Sequence, residues 1–452
     1  MRDEIRFTTA GYEDLLGGLL ADEAEHAAIL ICGCVRSENA TILTVRQVVH
    51  LTDDDLDDEG LLHLQVSPLV LAALAKQASR ENQTLIVAHS HPFAGIVRAS
   101  EIDLRTEKDL CGRVLTGRVN RPVGALIVGP DGYDARVWTS ECSYPAMVRV
   151  GGRGWHPPTS VVDGHVAQDQ HARQVLIWGV GGQDQLHSST VAVVGLGGTG
   201  SHVALQLAHL GIGRLILVDP DNVESSNLSR LMGAAQSDIG CRKVDVSAVA
   251  ARRVRPDLDI VRLPVSVLDL DMSALSDADV VVCCTDNHGS RSWLNELAAQ
   301  LLVTLIDLGV EVQPGEDRAR AGGGVRVIRP GEPCLWCIGI LDPAEVRIDY
   351  LSEEQRHWEV ERGYVRDTDL PTPSVVALNG VVASMAVMEL LEELVGIFGQ
   401  AASRVLYRAE MRSVTLASTH SEAGCYVCGA QGVLGLGDGR LLPRQLKDAR
   451  SG

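Results

Sequence analysis

Short apolar runs divide the first 150 residues into predicted strands and one helix. Residues 27–34, 41–49, 84–89 and 133–138 have the length and composition of buried strands. Residues 68–80 begin behind a Ser-Pro pair, which predicts a helix. We therefore expect a small mixed α/β unit in this part of the chain.

The pattern changes after residue 190, where predicted strands and helices alternate. Strands are predicted at 191–194, 214–218 and 280–284, and helices at 200–210 and 244–254. This alternation is typical of a doubly wound parallel sheet with a Rossmann-like order. Further along, residues 378–396 predict a long apolar helix and residues 404–416 contain another strand.

A segment rich in glycine and proline, residues 151–159, separates the two patterns. The length of 452 residues is sufficient for two or three domains. We expect a first domain over residues 1–145, a linker over 146–167, a second domain over 168–432 and a loose C-terminal tail over 433–452.

The charge balance narrows the classes of partner. The chain has 40 Lys and Arg against 59 Asp and Glu, a formal net charge of −19. Nucleic acids and anionic membranes need a basic face, so we expect neither as a partner. The first ten residues resemble no secretory signal or membrane anchor, which favours the cytoplasm.

One uncharged stretch, residues 191–213, is long enough to span a bilayer. Six glycines and three polar side chains interrupt it, namely His202, Gln206 and His209. We therefore interpret it as a strand, a turn and a helix.

The chain contains eleven cysteines, an odd and scattered set that argues against a disulfide framework. The last four form two Cys-x-x-Cys pairs, a spacing typical of metal ligands. Four thiolates complete a tetrahedral zinc shell without an open position, so this zinc would be structural. Two redox dithiols are the alternative. The four ligands would be Cys334, Cys337, Cys425 and Cys428.

A second group of metal-ligand residues follows the predicted strand 84–89. His89 and His91 are two residues apart in extended chain, so their side chains point to the same side. Asp103, at the start of the next predicted helix, can add a third ligand. Zinc with two His, one Asp and an open position is a catalytic arrangement, because the metal acidifies a water there. Glu25, just before the strand 27–34, is the candidate general base.

This combination resembles the JAB/JAMM metalloproteases, many of which cleave the bond after the C-terminal glycine of ubiquitin or a ubiquitin-like protein. The resemblance covers roughly residues 5–140 and implies a catalytic zinc on His89, His91 and Asp103. It also implies Glu25 as the acid/base, with Glu23 as the alternative, and Ser100 as support for the tetrahedral intermediate. The segment between His91 and Ser100 is one residue longer than the commonest form of the family.

A glycine-rich turn lies between the predicted strand 191–194 and the helix 200–210, where backbone N–H groups bind phosphate. Asp219 ends the next strand, where a carboxylate can hold a ribose hydroxyl. A dehydrogenase would share both features, but two nearby cations and an amide suit a triphosphate under attack by a carboxylate. These candidates are Gly195, Gly197, Gly198 and Gly200 in the turn, and Asn227, Arg230 and Lys243 after it.

Two further residues complete this second group of candidate site residues. Asp286 ends another predicted strand, at the edge where open α/β sheets bind ligands, and could position Mg²⁺. Arg173, upstream of the first strand, is another phosphate-reaching candidate.

The set resembles the MoeB/ThiF and ubiquitin-activating superfamily over about residues 168–430. That superfamily adenylates the C-terminal glycine of ubiquitin-fold proteins. The resemblance implies ATP as substrate, Asp219 on the ribose, Asp286 on Mg²⁺, and Arg173 reaching the partner's ATP across a homodimer. It assigns the phosphates to Asn227, Arg230 and Lys243, and it implies the structural zinc on the four cysteines.

Superfamily members that form a thioester carry a cysteine between the two zinc-binding pairs, but residues 338–424 contain none. A covalent ubiquitin-activating mechanism is therefore not expected. An acyl-adenylate would instead pass to a sulfur donor or to a separate conjugating protein.

We interpret the chain as a bifunctional enzyme that trims the C-terminal tail of a ubiquitin-like protein and then adenylates its terminal glycine. Bacterial ubiquitin-like conjugation, including antiphage systems, and sulfur transfer are both compatible with this. The alternatives are an adenylating enzyme that modifies a peptide or metabolite, and a nucleotide-dependent scaffold whose protease domain only binds.

Overall fold

The structure, a computed structural model, describes residues 3–37, 40–56, 66–93, 95–151, 169–313, 315, 319–362, 373–399, 402–440 and 442. They form two compact units. The first contains residues 1–163 and two short later segments, and the second contains most of residues 164–427. The predicted linker, 146–167, begins inside a strand that ends at Val150, and residues 152–167 lie outside the described residues.

The first unit is built around a closed barrel of seven strands, in the order β1-β3-β2-β4-β5-β6-β7. The pairs β1–β3, β1–β7 and β4–β5 are parallel and the other pairs are antiparallel. The strands are β1 Asp3–Phe7, β2 Ala27–Arg36, β3 Thr41–His50, β4 Thr84–Ser90, β5 Val123–Gly129, β6 Gly132–Trp138 and β7 Ser143–Val150.

Helices pack against the strands of this barrel. The predicted helix 68–80 is present with the predicted bounds. Three further helical segments follow one another after the loop that leaves β4, and the middle one is a π-helix. The helices are α1 Thr9–Leu19, α2 Pro68–Arg80, α3 Glu101–Glu107, the π-helix Lys108–Leu115 and α4 Thr116–Val119.

The alternation of side chains along β2 explains why this strand is apolar throughout. Ala28, Leu30 and Cys32 belong to one hydrophobic core together with side chains of β1, β3 and β7. Ile29 and Ile31 point to the other face and pack with α2 and the π-helix in a second core. A strand buried on both faces needs apolar residues at every position, because successive side chains alternate.

The second unit contains an eight-stranded sheet in the order β10-β9-β8-β11-β12-β13-β14-β15. The first five strands in that order are parallel and the last three are antiparallel. The strands are β8 Thr190–Val194, β9 Arg214–Val218, β10 Asp259–Leu263, β11 Val280–Cys283, β12 Thr304–Gln313, β13 Arg320–Ile328, β14 Arg404–Arg408 and β15 Ser413–Leu416.

Helices connect these strands in the doubly wound manner. They are α5 Ala172–Ser188, α6 Gly200–Leu210, α7 Lys243–Val254, α8 His288–Leu301, α9 Pro343–Asp349, α10 Glu353–Glu361 and α11 Val376–Val395. The single strand predicted within 404–416 is instead a hairpin of two strands, β14 and β15.

The uncharged stretch 191–213 does fold as a strand, a turn and a helix, namely β8 and α6. Every residue of β8 is buried, and α6 ends at Gly211 in the left-handed conformation. In the described part of the chain, no helix is both long and apolar enough to cross a membrane.

The predicted loose tail is wrong for residues 433–440, which pack into the first unit. The carbonyl oxygen of Gly435 accepts hydrogen bonds from the Gly33 backbone N–H at 3.2 Å and from the Thr44 hydroxyl at 2.9 Å. Asp438 accepts from Arg121 at 2.8 Å. These contacts join residues more than 300 positions apart, so local composition could not indicate them. Residues 441 and 443–452 lie outside the described residues.

We predict that Gly33→Ala detaches this C-terminal segment. A Cβ at Gly33 would lie 2.5 Å from both the Gly435 oxygen and the Gly437 nitrogen, closer than non-bonded atoms approach. Trypsin cleavage after Arg440 should become several-fold faster in the variant. Gly17→Ala is the control, because a Cβ there would meet nothing within 4 Å. Equal cleavage rates in both variants would contradict the packing of this segment against β2.

Candidate functional site

Three potential metal ligands meet where β4 ends in the first unit. His89 is the last residue but one of that strand, His91 follows the strand, and Asp103 lies in the first turn of α3. The Nε2 atoms of the two histidines are 3.3 Å apart. Each lies 3.6 Å from one carboxylate oxygen of Asp103. The structure therefore brings together all three predicted ligands.

The spacing of these atoms fits one metal ion with tetrahedral coordination. Zinc binds nitrogen and oxygen at about 2.0–2.2 Å, which places neighbouring tetrahedral ligands roughly 3.3–3.6 Å apart. Burial lowers the pKa of His89 to about 4, so its imidazole is neutral and can offer a lone pair near neutral pH. Burial opposes ionisation of Asp103, but the hydrogen bonds to Ser100 and the charges of His89 and His91 together lower the pKa of this carboxyl. The donor set therefore suits a divalent cation.

Hydrogen bonds hold the segment that contains Glu25 against the end of β4. The backbone N–H of His26 donates to the Ser90 hydroxyl at 2.9 Å, and the Ser90 N–H donates to the His26 carbonyl at 3.0 Å. Ala27 pairs with His89 across the two strands. Glu25 is exposed and lies two residues before Ala27 in the chain. Glu23 is also exposed, in the turn that precedes it.

Ser100 caps the helix that carries Asp103. Its hydroxyl accepts from the Asp103 N–H at 3.1 Å, and its own N–H donates to the Asp103 carboxylate at 2.7 Å. This reciprocal pair fixes the start of α3 next to the metal-ligand cluster.

The glycine-rich turn of the second unit lies at the carboxyl ends of its parallel strands. Gly195 follows β8 with φ of +87°, a conformation that favours glycine. A Cβ on Gly200 would collide with the Gly195 carbonyl oxygen, whereas a Cβ on Gly197 would meet nothing within 4 Å. The turn is thus tightly folded on one side and open on the other, where a phosphate could approach its backbone.

The turn meets the end of β11 across the point where the sheet changes direction. A Cβ on Gly195 would lie 2.9 Å from the carbonyl of Cys284, in the loop that leads to Asp286. The strand β8 lies between β9 and β11, and the connections on its two sides run in opposite directions along the sheet. Open α/β sheets bind ligands in the crevice at such a switch point.

Asp219 and Lys243 lie on the other side of the turn. Asp219 accepts from the Leu196 N–H at 2.6 Å and from the Asp221 N–H at 2.9 Å. Burial raises the pKa of Asp219, and Lys243 opposes that effect. Lys243 Nζ lies 3.9 Å from Asp219 and 2.6 Å from Asp221. The carboxylate thus anchors the turn, with the lysine beside it.

Asn227 and Arg230 share a short turn near the glycines. The Asn227 side chain accepts from the Glu224 N–H, and Arg230 donates to the Ser226 carbonyl at 2.9 Å. A Cβ on Gly198 would lie 3.4 Å from Cδ of Arg230, which places that arginine beside the glycine turn.

Two predicted residues are less tightly connected to the turn. Asp286 is exposed in the loop after β11. Burial lowers the pKa of Arg291, but nearby negative charges, Asp307 first and Asp286 among the others, raise it above its ordinary value. Arg173 is exposed near the start of α5, and no contact within the described residues joins it to the glycine turn. The structure therefore places Asp219 and Arg230 against the glycine turn and Lys243 beside Asp219.

The four cysteines of the two Cys-x-x-Cys pairs also converge. The Sγ atom of Cys334 is 3.9 Å from that of Cys337 and 3.6 Å from that of Cys425. All four Sγ atoms, including that of Cys428, lie within 4.8 Å of one another. Zinc–sulfur bonds of about 2.3 Å give a tetrahedral edge of roughly 3.8 Å, so the sulfurs suit one zinc ion.

Asn379 is a site residue that the sequence reasoning missed. It lies in α11, is buried, and donates to the Ser374 hydroxyl at 3.0 Å. Its amide is next to Gly198, where a Cβ would collide with it. A buried asparagine in an otherwise apolar helix was the available signal, because buried amides need hydrogen-bond partners. Asp221, the ion-pair partner of Lys243, was missed as well.

Comparison with known proteins finds relatives of the second unit among the adenylyltransferases. The model of the ThiF family matches residues 171–426. The chain is 30% identical to the molybdopterin-synthase adenylyltransferase of Escherichia coli, over 58% of this chain and 96% of that protein. It is 29% identical to the sulfur carrier protein ThiS adenylyltransferase of E. coli, over 58% of this chain and 94% of that protein. It is 30% identical to ubiquitin-like modifier-activating enzyme 5 of Aedes aegypti, over 50% of this chain and 55% of that protein.

We predict that Cys425→Ser removes one zinc ion per chain and lowers the thermal unfolding midpoint by several degrees. A serine hydroxyl is a poor substitute for a thiolate ligand, and structural zinc stabilises the fold that holds it. Metal analysis by mass spectrometry and a thermal melt check both effects. Cys142→Ser is the control, because Cys142 lies outside the cluster. Equal zinc content in the two variants would refute the four-cysteine site.

Proposed function

The chain belongs to the ThiF family, and from this premise we propose that it adenylates the C-terminal carboxylate of a ubiquitin-like protein. Relatives of similar length to the matched region are adenylyltransferases for a sulfur carrier protein and for molybdopterin synthase. The observation that carries the proposal is the contact of the glycine turn with the loop before Asp286, with Asp219, Arg230 and Lys243 around it.

The proposed reaction joins a carboxylate to the α-phosphorus of ATP. A carboxylate oxygen attacks that phosphorus, the bond to the bridging oxygen of the β-phosphate breaks, and pyrophosphate leaves. Arg230 and Lys243 would balance the charge that moves onto the leaving group, and Asn227 and the open side of the glycine turn would orient the phosphates. Asp219 would hold the ribose. Magnesium on Asp286, when bound, would neutralise phosphate charge.

The proposed homodimer is supported by the exposed side of α5. Leu176 is 86% exposed and Ile177 is 65% exposed, on the same helix as Arg173. Adjacent apolar side chains that face solvent are typical of an interaction surface. A second copy that covered them would bring its Arg173 toward a neighbouring nucleotide site.

We predict that ATP–pyrophosphate exchange depends on a ubiquitin-like protein with an exposed C-terminal glycine and is lost in Asp286→Ala. The loss should be at least a hundredfold, because the substitution removes the carboxylate proposed to hold magnesium. Asp259→Ala is the matched control: Asp259 begins β10 at the opposite edge of the sheet and should be dispensable. Exchange that needs no protein substrate, or that survives Asp286→Ala, would contradict the proposal.

For the first unit we propose a zinc peptidase that trims or releases the tail of the same ubiquitin-like protein. The convergence of His89, His91 and Asp103 at distances that suit zinc supports it. Zinc, when bound, lowers the pKa of water to about 7. Glu25 would take the proton of the attacking water and pass it to the leaving amine. The Ser100 hydroxyl would donate to the oxyanion that develops on the scissile carbonyl.

We predict that His89→Ala and Glu25→Gln each abolish cleavage of a ubiquitin-like protein with a C-terminal extension. The glutamine variant should lose about 10² to 10⁴ in rate, because the amide cannot accept the proton. His50→Ala, a substitution of a half-exposed histidine on β3, should cleave normally. Glu23→Gln should also cleave normally, whereas its failure together with an active Glu25→Gln would assign the base to Glu23. Cleavage by His89→Ala at the wild-type rate would remove the zinc mechanism.

The two activities would act in sequence on one substrate. Hydrolysis of the tail yields the free glycine carboxylate that adenylation requires. The acyl-adenylate would then pass to a sulfur donor or to a separate conjugating protein, in biosynthesis or in ubiquitin-like modification. A cytoplasmic location remains our prediction for both steps.

A further inference from the structure

A buried cluster of charged side chains lies beside the candidate metal ligands in the first unit. Arg136 on β6 donates to both carboxylate oxygens of Glu107, from Nε at 2.8 Å and from a terminal nitrogen at 2.6 Å. Its other terminal nitrogen lies 2.5 Å from Asp134. The Trp138 indole N–H adds a bond of 3.0 Å to Glu107. Arg136 and Glu107 are each about 9% exposed, so the contacts are largely shielded from water.

The register of the sheet places this cluster on the same face as His89. His89 pairs with Ile127 on β5, and Ile127 pairs with Asp134 on β6. Paired residues on neighbouring strands point to the same face, and two strand spacings amount to about 10 Å. Arg136 lies two positions along β6 from Asp134 and therefore shares that face.

The cluster holds the metal-ligand helix at both of its ends. Glu107 is the last residue of α3 and Asp103 lies one helical turn before it, so the two side chains share one side of the helix. The rotation of α3 that directs Glu107 to Arg136 also directs Asp103 to the histidines. At the other end, the Ala99 N–H donates to Asp134 at 2.8 Å, directly before Ser100. Arg136 binds both Glu107 and Asp134, and these two carboxylates contact the two ends of the segment 99–107.

Stability alone does not account for three charged groups in this position. Burial by itself would lower the pKa of Arg136, but Glu107 and Asp134 reverse that effect and raise it above its ordinary value. A buried ion pair contributes little net stability compared with well-packed apolar side chains. A planar guanidinium can, however, bind two carboxylates in fixed directions, which a lysine ammonium cannot do.

We propose that Arg136 is a positioning residue for the candidate metal site, holding α3 so that Asp103 and Ser100 face His89 and His91. The inference rests on the proposed zinc site of the first unit. Groups that orient metal ligands typically change metal affinity by 10- to 100-fold when they are altered. Among the described residues, no hydrogen bond joins Arg136 to a candidate ligand, although its charge acts on His89. Arg136→Lys keeps that charge, so a change in metal binding would report the placement of the helix.

The test measures zinc binding by the full chain with Arg136→Lys. This substitution keeps the positive charge but removes the planar guanidinium that binds Glu107 and Asp134 together. The four-cysteine site is filled first with zinc, and His89→Ala identifies the signal of the second site. We expect about tenfold weaker zinc binding, and a changed visible spectrum when Co²⁺ replaces zinc at the second site. Arg149→Lys is the matched control, because the largely buried Arg149 pairs with Glu4 at 2.9 Å elsewhere in the barrel.

Each outcome decides the proposal. Weaker zinc binding by Arg136→Lys than by Arg149→Lys, at similar thermal midpoints, supports it. Glu107→Gln should also bind zinc more weakly, and it replaces Arg136→Lys as the test variant if Arg136→Lys does not fold. Unchanged affinity and cobalt spectrum in both Arg136→Lys and Glu107→Gln would overturn the positioning role while leaving the metal site intact. If the wild-type chain bound no zinc at the histidines, the metal site and this inference would both be overturned.

Discussion

The second unit depends on one geometric constraint, namely that parallel strands bring their carboxyl ends to a common edge. The strand β8 lies between β9 and β11, all parallel, so the segments that come after them emerge together. Asp219 comes after β9, the glycine turn after β8, and Cys284 to Asp286 after β11. Because the chain leaves β8 and β11 in opposite directions, a crevice opens between them. The nucleotide chemistry inferred for this protein requires that arrangement.

A strand constraint of a different kind shapes the first unit. The side chains of His89 and His91 share one side because they are two positions apart at the end of β4. The third ligand comes from a separate helix, whose placement no strand geometry determines. The structure supplies that placement through Ser100 at one end of the segment and through Glu107 at the other. The arrangement of the three candidate metal ligands thus depends on contacts between elements that are distant in sequence.

This difference explains how far the sequence could predict the molecule. The bounds of α2 and α6, the histidine pair, the glycine turn and the two Cys-x-x-Cys pairs followed from local spacing, since a turn or a helix is determined mainly by neighbouring residues. Asn379 and the packing of residues 433–440 did not follow, because each depends on a partner far away in the chain. The strand β13, and the division of residues 404–416 into the two strands β14 and β15, also escaped prediction, because the pairing of these strands is decided by the existing edge of β12. Arg136 was missed for the same reason, since its two carboxylate partners lie on different elements.

The cysteines near the nucleotide crevice bear on the fate of the proposed acyl-adenylate. Cys284 touches the glycine turn, but burial raises the pKa of its thiol well above the ordinary value. Burial likewise raises the pKa of Cys283 to about 12. The thiolate is the nucleophilic form, so neither residue is activated for attack on an acyl-adenylate. Residues 338–424 contain no cysteine, and Cys334, Cys337, Cys425 and Cys428 lie close enough to share a metal. Neither Cys283, Cys284 nor the four clustered cysteines therefore offers a free, activated thiolate to an acyl group formed in this crevice.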